Sequence, residues 1–208
     1  MYLFTRVAQA APGKLIEAYT WAAETAAVAA DSGGVPIATW GSIFSPEVGG
    51  LSWSMRVESI AQLHEANAKS LASTAFHEAA NKGVDLLIGP PADALLEIVV
   101  ASGLGDAPPA FATVVQAVGA PGQLLDAYAA GVEIANLFHS LTGQSAIFLR
   151  NVTGAFGGVS WITGAPSAAA IDEANATLAA SADWPVLVNK AGMHFGGDTT
   201  TRMLQRLA

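Results

Sequence analysis

Two tryptophans in matching hexapeptides are the first residues in this sequence that suggest a chemical role. Trp53 lies in GGLSWS at residues 49–54, and Trp161 lies in GGVSWI at residues 157–162. Strand alternation places each tryptophan on the face of its apolar neighbours, and places Arg56 with the serines on the opposite face. If the apolar face meets helices, both tryptophans are core residues. The alternative is that they line a ligand site.

Arg6, Arg56 and His194 are three further candidates for substrate binding or catalysis. Both arginines lie in predicted strands, and a guanidinium in an enclosed apolar interior needs a carboxylate partner or an anionic ligand. At the rim of a sheet, either arginine would instead lie in water. His194 is predicted in the last strand, where a neutral imidazole could act as a base or orient a substrate. The alternative for His194 is an ordinary hydrogen-bonded histidine.

Missing residues and motifs exclude several kinds of site. The chain has no cysteine, which excludes thiolate nucleophiles, disulfides and zinc–sulfur centres. No HExxH or comparable spacing predicts a protein-ligated metal. The sequence also lacks the GxxxxGK[ST] phosphate loop, and GVSWITG lacks the second glycine of a serine nucleophile elbow. We therefore expect neither a metal nor a cofactor.

Composition predicts a folded protein and disfavours polyanionic partners. Hydrophobic residues make up 52% of the 208 residues and charged residues only 12%. The formal net charge of -8 disfavours nucleic acid and anionic membrane surfaces. No stretch approaches the roughly 18 apolar residues of a membrane-spanning helix. The N-terminal segment lacks the pattern of a secretory leader, so a cytoplasmic protein is expected.

The two tryptophan hexapeptides belong to a longer internal similarity. FTRVAQ matches FATVVQ, APGKLIEAY matches APGQLLDAY, HEANA matches DEANA, and an Asn-Lys pair recurs, all in the same order. Collinear matches of this kind predict a gene duplication. The predicted organisation is one repeat at residues 1–101, a Gly- and Pro-rich linker at 102–109 and a second repeat at 110–208.

Each repeat is predicted to run βαββαβ, with an extra helix at the end. First-repeat strands are predicted at residues 2–9, 37–44, 51–57 and 84–88, and second-repeat strands include 146–152, 159–163 and 192–195. Pro12 and Pro121 favour the start of the first helix in each repeat. Ser59 and Ser167 are predicted N-caps of the second helix. Residues 198–207, DTTTRMLQRL, are predicted to form a terminal helix.

This element order predicts an α+β fold of two ferredoxin-like repeats. Each antiparallel sheet would have helices on one face, so the two bare faces are expected to pack together into an intramolecular barrel. The duplicated pattern resembles the dimeric α+β barrel superfamily in a tandem single-chain form. Members include antibiotic-biosynthesis monooxygenases, heme-degrading monooxygenases and NIPSNAP-like proteins.

The resemblance implies heme as an alternative ligand. Heme-degrading members combine a tryptophan on this strand with a later histidine and an asparagine on the first strand. Trp53 followed by His64 is similar to that arrangement. However, Arg6 or Thr113 stands where the asparagine would be expected.

Three functions are compatible with the sequence. One is a cofactor-independent monooxygenase-type enzyme for an apolar or aromatic substrate, with a cavity lined by Trp53, Trp161, Arg56 and His194, and with Arg6 as a further substrate-binding residue. Another is a non-catalytic module that binds an apolar ligand or a protein. The third is a structural role. Duplication removes the need to dimerise but leaves self-association open.

Overall fold

The computed structural model describes residues 1–46, 48–105 and 107–208. In the first half of the chain the elements are β1 Tyr2–Gln9, α1 Leu15–Gly33, β2 Ala38–Ile43, β3 Gly50–Val57, α2 Ile60–Ala72, α3 Thr74–Asn81 and β4 Ala92–Ser102. In the second half they are β5 Phe111–Gly119, α4 Leu124–Thr142, β6 Ser145–Asn151, β7 Gly158–Ala165, α5 Ala168–Ala180, α6 Asp183–Gly192 and β8 Phe195–Arg206. The predicted α+β class is confirmed, and both halves follow the same order of elements.

The chain divides into two compact units whose bounds fall inside strands. The first unit contains residues 1–95 and 205–208, and the second contains residues 96–204. Strands β4 and β8 therefore each contribute residues to both units. Glu47, between the predicted strands 37–44 and 51–57, and Asp106, in the predicted linker 102–109, lie outside the described residues. None of the described helices is long and apolar enough to cross a membrane.

In the first unit, β3 is the central strand of an antiparallel sheet between β1 and β2. Trp53 lies directly opposite Arg6 of β1 and Thr39 of β2. The C-terminal residues continue the sheet beside β2, where Leu207 N donates to Thr39 O at 2.8 Å. The start of β4 lies on the other side, next to β1.

In the second unit, β7 is paired with β5 and β6 in the same antiparallel way. Trp161 lies opposite Val115 of β5 and Phe148 of β6. The rest of β4 pairs with β6, and β8 lies beside β5. Alternate residues of the sheet pack against α4, and the resulting core includes Ala135 and Phe138 of that helix.

The second helix of each half begins at its predicted cap, whereas Pro12 and Pro121 lie in turns three residues before α1 and α4 and not at the helix start. Ser59 Oγ accepts from Gln62 N, and Ser167 Oγ accepts from Ala170 N, so both predicted N-caps are confirmed. Helices α1 and α4 end at glycines in the left-handed conformation, Gly34 at φ 73° and Gly143 at φ 69°.

Three predictions are wrong, one near the end of the first half and two near the end of the second. Residues 198–207 belong mainly to β8 and do not form a helix, because three consecutive β-branched threonines favour extended backbone. The predicted strand at 84–88 contains a 3₁₀ turn instead, and the last strand of that half is β4. His194 lies in the turn before β8, outside any strand. Each half also contains an additional helix, α3 or α6, giving the order βαββααβ.

The sheet register corrects the match between FTRVAQ and FATVVQ. Arg6 lies opposite Trp53, whereas Val115 lies opposite Trp161. Arg6 therefore corresponds to Val115 in structure, and Thr113 corresponds to Phe4. The similarity of the two hexapeptides is displaced by two residues, which keeps each side chain on the same face of the sheet.

Candidate functional site

A cavity of about 430 Å³ lies in the second unit, between its sheet and helices α4, α5 and α6. Small-molecule sites usually occupy about 300–1,000 Å³. Five aromatic side chains contribute to the wall: Phe111, Phe138, Trp161, Trp184 and Phe195. The polar residues of the wall are Thr113, Gln144, Thr163, Asn175 and Thr199. All other lining residues are aliphatic or glycine.

Alternate residues of β5 and β7 form the floor of the cavity. Because the two strands pair in antiparallel register, Val115 faces Trp161, Thr113 faces Thr163, and Phe111 faces Ala165. Residues directly opposite each other point to the same side of a sheet. The floor is therefore a series of cross-strand pairs, with one polar pair between two apolar ones.

Trp161 is a fixed part of this wall. Its indole Nε1 donates to the carbonyl oxygen of Gly131 at 3.0 Å, and the side chain is only 9% exposed. Ring centroids of Phe148 and Phe195 lie 5.3 and 5.1 Å from that of Trp161. Gly131 makes room for Phe148, since a Cβ atom at this position would collide with the phenyl ring. The hydrogen bond and the ring contacts together hold the indole in one orientation.

The helical side of the cavity combines buried rings with exposed residues. Trp184 of α6 packs edge-on against Phe138 of α4, with centroids 6.1 Å apart. Asn175, Val188 and Thr199 also line the cavity but are exposed to solvent. These three residues therefore mark a route by which a small molecule could enter.

The polar groups of the wall are all uncharged. Gln144 Nε2 donates to Ala170 O at 2.6 Å, which fixes the side chain beside the start of α5. Thr113, Thr163 and Asn175 have side-chain polar atoms without a hydrogen-bond partner among the described residues. No lining residue is ionisable. A charged ligand would enter without a counter-ion, so the wall favours a neutral one.

Trp161 is the one predicted site residue that lines this cavity; Trp53, Arg6, Arg56 and His194 are not among its lining residues. Trp53 occupies the equivalent place in the first unit, where its Nε1 donates to the carbonyl oxygen of Ala22 at 3.0 Å. The face of β3 that carries both indole and apolar neighbours packs on α1, as predicted.

The predicted polar residues have partners of their own. Arg6 donates to both carboxylate oxygens of Asp93, at 2.7 and 2.8 Å, and this hydrogen bonding raises the pKa of Arg6. His194 Nδ1 donates to Gln123 Oε1 at 2.8 Å. Arg56 is exposed, on the opposite face of β3 from Trp53. A substrate-binding or catalytic role for these residues stays a prediction.

In the first unit, Trp21 of α1 fills the space beside Trp53, the counterpart of Trp161. Its ring packs edge-on against Trp53, with centroids 5.9 Å apart, and its Nε1 donates to Ala79 O at 2.8 Å. Gly83 admits this ring, because a Cβ atom there would collide with it. The carbonyl that accepts from Trp53 belongs to Ala22, and the one that accepts from Trp161 belongs to Gly131. The residue immediately before the acceptor is Trp21 in α1 and Ala130 in α4. Ala130 has no ring to fill the space beside Trp161, although Ala130 itself is not among the residues that line the cavity.

Sequence reasoning missed most of the residues that line the cavity. Thr163 lies two residues after Trp161 in the same strand, so alternation alone places it on the same face. Strand alternation was thus a usable signal for the floor. The contribution of α6, including Trp184, depended on a helix that was not predicted.

The chain shares its fold with several solved structures. No protein-family model matches it, and no curated protein is similar to it in sequence. A candidate monooxygenase from Fusobacterium nucleatum subsp. nucleatum is 9% identical, with a TM-score of 0.74 over 100% of this chain and 92% of that one. An anthrone oxidase-like protein is 11% identical, with a TM-score of 0.68 over 99% and 90%. These likenesses establish the fold, which is that of the dimeric α+β barrel proteins.

A heme-degrading enzyme from Listeria monocytogenes also shares the fold, at 8% identity and a TM-score of 0.51 over 99% of both chains. The cavity residues do not fit a heme, because no histidine, cysteine, methionine or tyrosine among them could ligate iron. His64, the histidine that follows Trp53, is exposed on α2. Within the described residues, no group of three or more histidines or carboxylates is placed to hold a metal ion.

Proposed function

We propose that this chain binds a neutral aromatic small molecule in the cavity of the second unit and oxidises it with O₂ as a cofactor-independent monooxygenase-type enzyme. The observation that supports this proposal is a cavity of about 430 Å³ with five aromatic side chains and no ionisable one. The fold shared with a candidate monooxygenase and an anthrone oxidase-like protein favours oxidative chemistry.

The uncharged wall defines what the protein can contribute to such a reaction. Trp161 and the other rings would hold a planar ligand by stacking and edge contacts. The apolar wall would exclude water from a reactive intermediate. No side chain in the wall can take a proton as a general base. The substrate must therefore have an acidic C–H or O–H group that ionises readily, and the reaction rate should rise with pH as that group ionises.

Anthrone is a suitable probe, because it is aromatic, neutral and readily ionised at its methylene carbon. In its oxidation the methylene carbon becomes a carbonyl. One atom of O₂ enters the product, and the other leaves as water with the two methylene hydrogens. This balance requires no reductant, so the protein, anthrone and O₂ form a complete assay.

Binding should be measured first, by calorimetric titration of the protein with anthrone in the absence of O₂. Ala174→Phe places a ring in the cavity and should abolish binding, since Ala174 is a buried lining residue of α5. Ala176→Phe is the matched control, because Ala176 is exposed on the same helix. Binding by the wild type and the control, but not by Ala174→Phe, would support the site. Failure of the wild type to bind anthrone or related neutral aromatics would contradict it.

Catalysis should then be measured as O₂ consumption and quinone formation. The enzymatic proposal expects turnover that Ala174→Phe abolishes and Ala176→Phe retains. The absence of an ionisable wall residue also favours a second function, non-catalytic binding of the same class of ligand. Anthrone that binds in this cavity but is oxidised no faster than in buffer would support that second function and contradict the first.

A further inference from the structure

We propose that Thr113 and Thr163 together form a polar anchor that selects ligands bearing a carbonyl or hydroxyl oxygen over the corresponding hydrocarbon. This inference rests on the proposed function and specifies the ligand class of the same site. It is carried by the position of the two threonines, by their free hydroxyl groups and by the residues at the same places in the first unit.

The two threonines are direct neighbours across β5 and β7. Side chains directly opposite each other have Cβ atoms about 4.5–5.5 Å apart and point to the same side of the sheet. Both line the cavity, beside the Val115 and Trp161 pair. The two hydroxyl groups are thus close enough together to contact one ligand atom.

Neither threonine hydroxyl has a hydrogen-bond partner among the described residues. Both side chains are partly shielded from solvent. By contrast, Thr142 and Thr177 on the helices donate to the backbone carbonyls of Phe138 and Glu173. Each hydroxyl can donate one hydrogen bond and accept others. The pair can therefore bind either a ligand carbonyl or a ligand hydroxyl, and displacing water from it with a hydrocarbon would leave two polar groups unpaired.

The first unit shows that the fold does not require hydroxyl groups at these positions. Phe4 and Met55 are the cross-strand pair that corresponds to Thr113 and Thr163. Met55 is 7% exposed, and Phe4 packs against the same apolar cluster. An apolar pair at these positions therefore packs between the sheet and the helices of that unit. The hydroxyl pair is a local feature of the unit with the cavity, which is where a ligand would use it.

Anthrone and dihydroanthracene test the anchor, because they share a tricyclic skeleton and differ by the carbonyl oxygen. The wild type should bind anthrone about 3- to 10-fold more tightly, the effect of one hydrogen bond. Thr113→Val, Thr163→Val and the double variant keep the side-chain shape and remove the hydroxyl groups. The double variant should lose the preference for anthrone while its affinity for dihydroanthracene stays the same or rises. Thr177→Val is the matched control and should keep the wild-type preference.

The outcomes separate this inference from the proposed function. Equal affinity of the wild type for both probes, or a preference that survives in the double variant, would overturn the anchor and leave ligand binding intact. Binding of neither probe would contradict the proposed function and the anchor with it. Thermal unfolding should show that Thr113→Val, Thr163→Val and the double variant are at least as stable as the wild type, because valine suits a half-buried strand.

Discussion

Replacing each of the two matching tryptophans by phenylalanine separates the structural role of the indole from its role in ligand binding. Trp53 and Trp161 are each 9% exposed and each donates to a helix carbonyl at 3.0 Å. Only Trp161 lines the cavity. Trp53→Phe and Trp161→Phe should therefore destabilise the protein to a similar extent, and only Trp161→Phe should change ligand affinity.

The loss of stability can be estimated from the contacts that disappear. Loss of the indole hydrogen bond lowers the free energy of unfolding by about 1 kcal/mol. The smaller ring leaves a gap, which at about 24 cal/mol per Å³ lowers it by roughly another 1 kcal/mol. A total of about 2 kcal/mol corresponds to a decrease in Tm of about 4–8 °C for a protein of this length.

Differential scanning calorimetry would give the two stabilities, and titration with anthrone would give the affinities. We expect comparable decreases in Tm, wild-type affinity for Trp53→Phe and a several-fold weaker affinity for Trp161→Phe. The reasoning would be refuted if the two variants lost affinity equally. It would also be refuted if Trp161→Phe kept wild-type affinity, because the indole would then not be part of the ligand site.

The remaining predictions concern packing and pH. Gly131→Ala should lower the free energy of unfolding by about 1–3 kcal/mol, because the added Cβ collides with Phe148. Gly192→Ala is the control and should be neutral or slightly stabilising by chemical denaturation, since no atom beyond its chain neighbours and its own helix backbone lies within 4 Å of the added Cβ. The pKa of Glu65 is lowered by its hydrogen bond with Lys69. Its contribution to stability is therefore present above the unfolded-state pKa and is lost as pH falls through the folded-state pKa. Lys69→Gln should raise the pKa of Glu65 toward its ordinary value in an NMR titration, and an unchanged pKa would contradict the assigned cause.

The sequence predicted correctly those features that depend only on residues close in the chain, namely helix N-caps and the face of a strand on which a side chain lies. The N-caps Ser59 and Ser167 need only a few residues of context. The face of Trp53 followed from strand alternation. Residues 198–207 were misassigned because the segment has apolar residues compatible with either period, and pairing with β5 decides in favour of a strand.

The location of the cavity could not be predicted, because it depends on differences in side-chain volume between distant segments. Trp21 fills the space beside Trp53, whereas its counterpart Ala130 has a much smaller side chain. Trp21 and Ala130 can be recognised as equivalent positions only from the hydrogen bonds that Trp53 and Trp161 make to α1 and α4. The matching hexapeptides of the first strands even favoured a correspondence of Arg6 with Thr113 that the sheet register corrects.

The two units retain one framework and differ at the positions that determine whether a ligand fits. Both units retain a strand tryptophan whose indole donates a hydrogen bond to a helix carbonyl oxygen, and this hydrogen bond fixes the distance between helix and strand. In the first unit Trp21 packs against Trp53, and Phe4 and Met55 belong to one apolar cluster on the sheet. A single ligand per chain is the stoichiometry that these differences predict for calorimetric titration. A ratio of two would show that Trp21 moves aside, and Trp21→Ala should then strengthen binding in the first unit without changing it in the second.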